Sequence, residues 1–94
     1  MHARVATFQG DPADIDALIS RVGGDIEAGN IPEGLEGAKM LMLVDRETGN
    51  VRGITLFESE DAMRKGDAAL NAMNPPGGQR TSVEYYEVPV ETIS

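Results

Sequence analysis

The sequence predicts an α+β fold in which a four-stranded antiparallel sheet carries two helices on one face. Three observations predict it: two amphipathic helical patterns, a strand pattern near each end of the chain, and a hairpin between the helices. The hairpin is the stretch 38–57, AKMLMLVDRETGNVRGITLF, where one turn joins two apolar runs. The element order βαββαβ is the split βαβ arrangement, and right-handed crossovers give the strand order 4-1-3-2.

Composition predicts one small soluble domain over residues 1–94. Hydrophobic residues make up 40% of the chain and charged residues 26%, the balance of an ordinary globular protein. A chain of this length buries one modest core and cannot divide it into two. The formal charge of −8, from 16 acidic against 8 basic residues, disfavours binding to the phosphate backbone of nucleic acid.

Two further features of the sequence concern its location. The absence of cysteine excludes disulfides, thiolate metal sites and thiol nucleophiles, and it is typical of cytoplasmic proteins. The first ten residues, MHARVATFQG, hold no apolar run of signal-peptide length, and no 18-residue apolar stretch occurs. We therefore expect a cytoplasmic protein without membrane contact.

The first strand and helix are predicted within residues 2–26. Residues 2–9 alternate weakly, as a strand does. Asp11-Pro12 is a typical helix start, since Asp caps free amides and Pro lacks a donor that the first turn leaves unused. Each glycine of Gly23-Gly24 lowers helix stability by roughly 1 kcal/mol relative to alanine. The helix therefore either ends at Val22 or continues through the glycines to Ile26, and we favour continuation. The apolar stripe of this helix is Ile15, Leu18, Ile19, Val22 and Ile26.

The hairpin has apolar residues on both faces. The stretch 29–37, GNIPEGLEG, predicts a surface connection leading to it. Its turn is 46–49, in which Gly49 supplies positive φ. The implied register pairs Leu43 with Arg52. One face then carries Leu41, Leu43, Ile54 and Leu56, and the other carries Met40, Met42, Val44, Val51 and Phe57. Two helices can cover only one of these sets, so we predict a homodimer through the open sheet face.

The second helix and last strand follow the hairpin. Ser59 and the two acids after it predict a helix start, and the helix runs to about residue 71–73. Its buried stripe is mostly small, so the helix either approaches the sheet closely or leaves a space beneath it. Residues 74–78, NPPGG, end the helix as a loop, which can close over the mouth of such a space. Residues 82–90 predict a fourth strand that lies at an edge or ends at Pro89. The predicted stripe is Ala62, Met63, Gly66, Ala69, Leu70 and Met73.

The segment 34–63, GLEGAKMLMLVDRETGNVRGITLFESEDAM, resembles the antibiotic-biosynthesis-monooxygenase-like branch of the dimeric α+β barrel superfamily. The matching features are scaffold residues that cover about a third of the chain, and the remainder matches by topology. They are the glycine before strand two, the D-R-E-T-G turn at 45–49, the G-I-T-L-F strand at 53–57 and the S-E-D-A helix start at 59–62.

This resemblance implies a ferredoxin-like protomer whose open sheet face packs on a second copy, with a ligand cavity between sheet and helices. The superfamily includes cofactor-independent oxygenases of electron-rich aromatic polyketides, haem-degrading enzymes and isomerases. A haem-degrading member is expected to carry asparagine, tryptophan and histidine, whereas this chain has no tryptophan and a single histidine, His2. The resemblance therefore implies a small apolar or aromatic ligand and no cofactor.

Five residues are predicted to contact a ligand. Strand alternation points one of Tyr85 and Tyr86 towards the helices and the other away, and a tyrosine hydroxyl in a cavity can orient a substrate. Arg52 either pairs with an acid such as Glu84 or reaches an anionic ligand. Beneath helix two, Met63 and Gly66 border the predicted space. Packing in the core or at an interface is the alternative interpretation for these residues.

Two functions are compatible with this sequence. The first is a cofactor-independent monooxygenase acting on an aromatic or quinone-like substrate, which supplies the electrons while the protein supplies orientation. The second is a non-catalytic ligand-binding or stress-related interaction protein. His2 is more typical of a solvated strand end than of a general base, and no metal site is predicted. The shortage of acids and bases suited to catalysis favours the second function.

Overall fold

The computed structural model describes residues 1–29, 34–35, 37–72 and 79–92. The strands form one antiparallel sheet in the order β2-β3-β1-β4, so the predicted α+β fold and strand order are confirmed. The predicted loop 74–78 and Met73 lie outside the described residues. The elements are β1 (His2–Gln9), a 3-10 helix (Pro12–Asp14), α1 (Ile15–Glu27), β2 (Lys39–Val44), β3 (Asn50–Phe57), α2 (Glu60–Asn71) and β4 (Gln79–Glu87).

Both helical segments begin at the predicted caps, the first as a 3-10 turn ahead of α1. The carboxylate of Asp11 accepts a hydrogen bond from the Ala13 amide at 2.9 Å, and the first turn is 3-10 before α1 becomes regular. The hydroxyl of Ser59 accepts from the Ala62 amide at 3.1 Å. Helix α1 is continuous through Gly23-Gly24, as favoured.

The hairpin has the predicted register. Leu43 lies opposite Arg52 in the β2–β3 pair, and Gly49 in the turn has a φ of +79°. The turn is joined to the end of β1, since the Gly10 amide donates to the Gly49 carbonyl at 2.9 Å. The side chain of Gln9 donates to the Thr48 carbonyl at 2.7 Å. The hairpin is thereby held against the start of the first helical segment.

Strand β4 differs from its predicted bounds. It spans Gln79–Glu87 and ends before Pro89, which cannot donate a ladder hydrogen bond. Its pairing with β1 contains a bulge, because Thr7 lies opposite Ser82 while Phe8 lies opposite Arg80. Thr81 is the extra residue, and its hydroxyl donates to the Thr7 carbonyl at 3.2 Å. The alternating pattern used for prediction begins only after this bulge.

The core lies between the helices and one sheet face, in two clusters. Under α1, Ile15 and Leu18 pack with Val51. Under α2, Met63 packs with Phe57 and Leu35. The prediction of a surface connection at 29–37 was wrong for Leu35, which is only 2% exposed. Burial removes this large apolar side chain from water and fills the space between α2 and the sheet.

The opposite sheet face, which we call the open face, is covered by neither helix. Leu41 and Leu43 are each 48% exposed there, and Tyr86 is 50% exposed. Among the described residues, neither α1 nor α2 has the combined length and hydrophobicity of a membrane-spanning helix. The cross-strand rows of the open face hold Lys39, Leu56, Ala3 and Tyr86, then Leu41, Ile54, Val5 and Glu84, then Leu43, Arg52, Thr7 and Ser82.

Candidate ligand-binding site

A cavity of about 210 Å³ lies between the sheet and α1, with Leu70 of α2 at its side. Its lining is almost entirely apolar. The lining includes Ala6 and Phe8 of β1, Met40 and Met42 of β2, Val51 and Gly53 of β3, Leu18, Val22 and Ile26 of α1, and the polar residues Arg4 and Thr55.

Small residues of the sheet explain why the space exists. Ala6 and Gly53 are cross-strand partners on the helix face, so the sheet presents one methyl group and one bare backbone there. A Cβ atom added at Gly53 would meet no atom within 4 Å. Interiors normally close such gaps by packing larger side chains, and none from α1 reaches this point. The cavity floor is therefore the Ala6 and Gly53 pair.

This position differs from the predicted one beneath α2. A Cβ atom added at Gly66 would collide with the ring of Phe57 and lie 3.1 Å from Leu35. The small stripe of α2 consequently serves close packing, the alternative stated for it from sequence. Of the two alternatives stated for Gly66, a space beneath the helix is not observed, because Phe57 and the buried Leu35 occupy that volume.

The polar part of the cavity consists of two buried neighbours, Arg4 on β1 and Thr55 on β3. They are cross-strand partners and are 4% and 5% exposed. Arg4 is the one ionisable side chain among the described lining residues. The cavity therefore combines an apolar body with one cationic, hydrogen-bonding wall.

Arg4 is held by a polar network on α2. Its Nε donates to Asp67 Oδ1 at 2.7 Å, and its Nη2 donates to Asn71 Oδ1 at 3.1 Å. The hydroxyl of Tyr85 donates to the same Asp67 oxygen at 2.8 Å. Nη1 of Arg80 donates to Asn71 Oδ1 at 2.6 Å. The guanidinium group of Arg4 is thus fixed in orientation from one side.

The network shifts two pKa values in opposite directions. Burial by itself raises the pKa of Asp67, but the hydrogen bonds from Arg4 and Tyr85, with the charges of Arg4 and Arg80, lower the pKa overall. The hydrogen bond to Asp67 raises the pKa of the Tyr85 hydroxyl above its usual value, because losing the proton would place two anions together. Asp67 therefore stays ionised and Tyr85 stays neutral near pH 7.

The five residues predicted to contact a ligand are separated by the sheet. Tyr85 lies on the helix face and Tyr86 on the open face, as alternation requires. Arg52 is also on the open face, while Met63 and Gly66 lie on the buried side of α2. None of the five lines the cavity under α1. Their binding of a ligand stays a prediction.

Glu84, the acid proposed from sequence as a partner for Arg52, is hydrogen-bonded to a different residue. Glu84 accepts a hydrogen bond from the Tyr86 hydroxyl at 2.6 Å, which raises the pKa of Tyr86. Within the part of the chain that the structure describes, no ion pair joins Arg52 to Glu84, because the two residues lie in different cross-strand rows with β1 between them.

Sequence reasoning missed Arg4 and Asp67. A signal for Arg4 was present in the sequence. Arg4 lies on the same face of the first strand as Ala6 and Phe8, the face that the helices cover, and a charged residue is unusual there. Asp67 follows Met63 by four residues and so lies near the inner face of α2. Among the described residues no three histidine, aspartate or glutamate side chains form a group that could hold a metal ion.

A scan against protein-family models found no match for this sequence, and a search of curated proteins found no significant match. The relation to the dimeric α+β barrel superfamily therefore stays a prediction. It is based on the element order and on the scaffold residues of the hairpin.

Proposed function

We propose that this protein binds a small apolar or aromatic molecule in the cavity under α1. The main support for this proposal is the cavity itself, which has a volume of about 210 Å³ and an apolar lining. An engineered apolar cavity of about 150 Å³ in another protein stays dry and takes up benzene. A molecule with a single ring is therefore the size class that this cavity supports.

The cavity chemistry supports binding in preference to acid–base catalysis. General acid–base chemistry needs a group whose pKa lies near the working pH. Arg4 is the one ionisable group among the described lining residues. Arginine side chains are not deprotonated in proteins. Arg4 can orient or hold a ligand, but it cannot exchange a proton with one.

A cofactor-independent monooxygenase of an aromatic or quinone-like substrate is the second candidate. The apolar cavity supports it, because a dry site that fixes an activated substrate supplies orientation without an acid or base. Its test is oxygen uptake by the purified protein with hydroquinone as substrate. Uptake no faster than in buffer would eliminate this candidate and leave the binding function.

We also propose that two copies associate through the open face. Leu41 and Leu43 are half exposed there, and a twofold sheet-on-sheet contact would remove them from water. The face carries both signs of charge, so Arg52 of one copy can approach Glu84 of the other. The proposed location of this dimer is the cytoplasm, on the strength of the cysteine-free composition.

The binding test uses a variant that fills the cavity. Gly53→Leu adds a side chain where no atom lies within 4 Å, so it should occupy the cavity without displacing backbone. We expect toluene to shift the methyl resonances of Val22 and Leu70 in NMR spectra of the native protein and to leave those of the variant unchanged. Gly23→Ala, on the exposed side of α1, is the control and should behave as native. Identical shifts in native protein and Gly53→Leu would contradict binding in this cavity.

The dimer test compares two exposed apolar residues by light scattering. Leu43→Glu places a charge on the open face and should convert a dimer into a monomer at micromolar concentration. Val90 is 84% exposed and lies beyond β4, so Val90→Glu should leave the mass unchanged. A native protein that is monomeric at this concentration would refute the association.

A further inference from the structure

We propose that the ligand is a monocyclic carboxylate, whose ring fills the apolar cavity and whose carboxylate is held by Arg4 and Thr55. This inference rests on the proposed binding function and specifies its chemical class. Arginine is suited to this role because its planar fork of donors matches the two oxygens of a carboxylate. A threonine hydroxyl beside it can donate a further hydrogen bond.

The donors of Arg4 are only partly used by the protein. A guanidinium group has five N–H donors, and the protein bonds found for Arg4 engage Nε and Nη2. Among the described residues, every fully buried side-chain nitrogen or oxygen atom has a hydrogen-bond partner. Among the described residues no partner is found for Nη1, so this atom is not fully buried. Arg4 lines the cavity, and we assign its unused donors to that space.

The hydroxyl of Thr55, like Nη1 of Arg4, has no hydrogen-bond partner among the described residues. Thr55 is 5% exposed and lies directly across from Arg4. No hydrogen bond of its hydroxyl is found within the described residues, so its oxygen also contacts open space. Two adjacent polar side chains with unused donors therefore line an otherwise apolar cavity, which is the arrangement that fixes the orientation of a bound small molecule.

The local charge favours an anion. Arg4 is the most deeply buried charge of the network, because its side chain is 5% exposed, that of Asp67 is 24% exposed and Arg80 is exposed. The chain as a whole carries −8, but exposed charges are screened beyond about 8 Å at physiological salt. The buried Arg4 cation at the cavity wall is screened less than these and therefore favours an anionic ligand.

The experiment compares toluene, benzoate and benzylamine, which share one ring and differ in charge, by calorimetry with the full chain. We expect benzoate to bind about tenfold more tightly than toluene, because its carboxylate can accept charge-assisted hydrogen bonds from Arg4 and toluene can accept none. Benzylamine should bind more weakly than toluene. Benzoate no tighter than toluene would overturn the carboxylate class and leave the binding function standing. Binding of none of the three would overturn both.

Variants separate a role in recognition from a role in folding. Arg4→Met should remove the preference for benzoate and retain binding of toluene. Asp67→Asn removes the carboxylate that compensates Arg4 and should raise the affinity for benzoate severalfold while leaving toluene unchanged. Arg64→Gln, an exposed cation on the same helix, is the control and should change neither. If Arg4→Met does not fold, the affinities of Asp67→Asn test the proposal. A preference for benzoate over toluene that is the same in Asp67→Asn as in the native protein would contradict it.

Discussion

Nε of Arg4 and Oδ1 of Asp67 lie 2.7 Å apart, in an ion pair that joins the middle of β1 to α2. The side chain of Arg4 is 5% exposed and that of Asp67 is 24% exposed, so the cation is the more deeply buried partner. Removing the carboxylate alone would therefore leave a buried charge without compensation.

The first prediction concerns this pair. Asp67→Ala should lower the free energy of unfolding by about 2–4 kcal/mol, because a buried cation without its partner is strongly destabilising. Urea unfolding followed by circular dichroism measures it. The matched control is Arg64→Ala, which breaks the exposed pair with Glu60 and should cost under about 1 kcal/mol. Equal losses for the two variants would contradict the assignment of a buried pair.

The second prediction concerns pH. The pKa of Asp67 is lower in the folded protein than in the unfolded chain, so its contribution is present above the unfolded value of about 3.9 and is lost as pH falls through the folded value. The difference in unfolding free energy between native protein and Asp67→Asn should shrink steadily below about pH 4. Urea titrations from pH 6 to pH 3 check this. A difference that stays constant would show that the Asp67 pKa is not lowered.

The third prediction separates two helical glycines. Gly66→Ala should destabilise the protein by about 1–2 kcal/mol net, because the collision with Phe57 and Leu35 outweighs the better helix propensity of alanine. Gly23→Ala meets no atom within 4 Å and should stabilise by up to roughly 1 kcal/mol. Thermal unfolding of the two variants should therefore shift in opposite directions. A stabilised Gly66→Ala would show that the core under α2 is loosely packed.

The fourth prediction separates two glycines with positive φ. Gly37 and Gly49 have φ values of +78° and +79°, so alanine at either position is strained by roughly 1–2 kcal/mol. At Gly49 the new Cβ would also collide with the carbonyl of Gly10, whereas at Gly37 nothing lies within 4 Å. We expect Gly49→Ala to lose at least about 1 kcal/mol more than Gly37→Ala. Similar losses in urea unfolding would mean that the turn moves away from β1.

The fold was predictable from sequence because local patterns determine it. The strand alternation placed Val51 and Phe57 on the same face, and the turn at Gly49 set the register of the hairpin. The cavity was not predictable in this way. It depends on Ala6 and Gly53 meeting across two strands and on Leu35 filling the space beside Gly66, and these are tertiary contacts. The partners of Arg4 lie more than 60 positions away along the chain, so no local pattern connects them.

The bulge at Thr81 changes the phase of β4. Beyond it, the even-numbered residues Ser82 and Glu84 lie on the open face, whereas the even-numbered Arg80 lies opposite Phe8 and reaches Asn71 on the helix side. In a strictly alternating strand, Arg80 and Ser82 would share one surface of the sheet. A single extra residue thus transfers a positive charge from one surface to the other. The number of residues between two pairing points, and not only their chemistry, decides which charges each surface of the sheet carries.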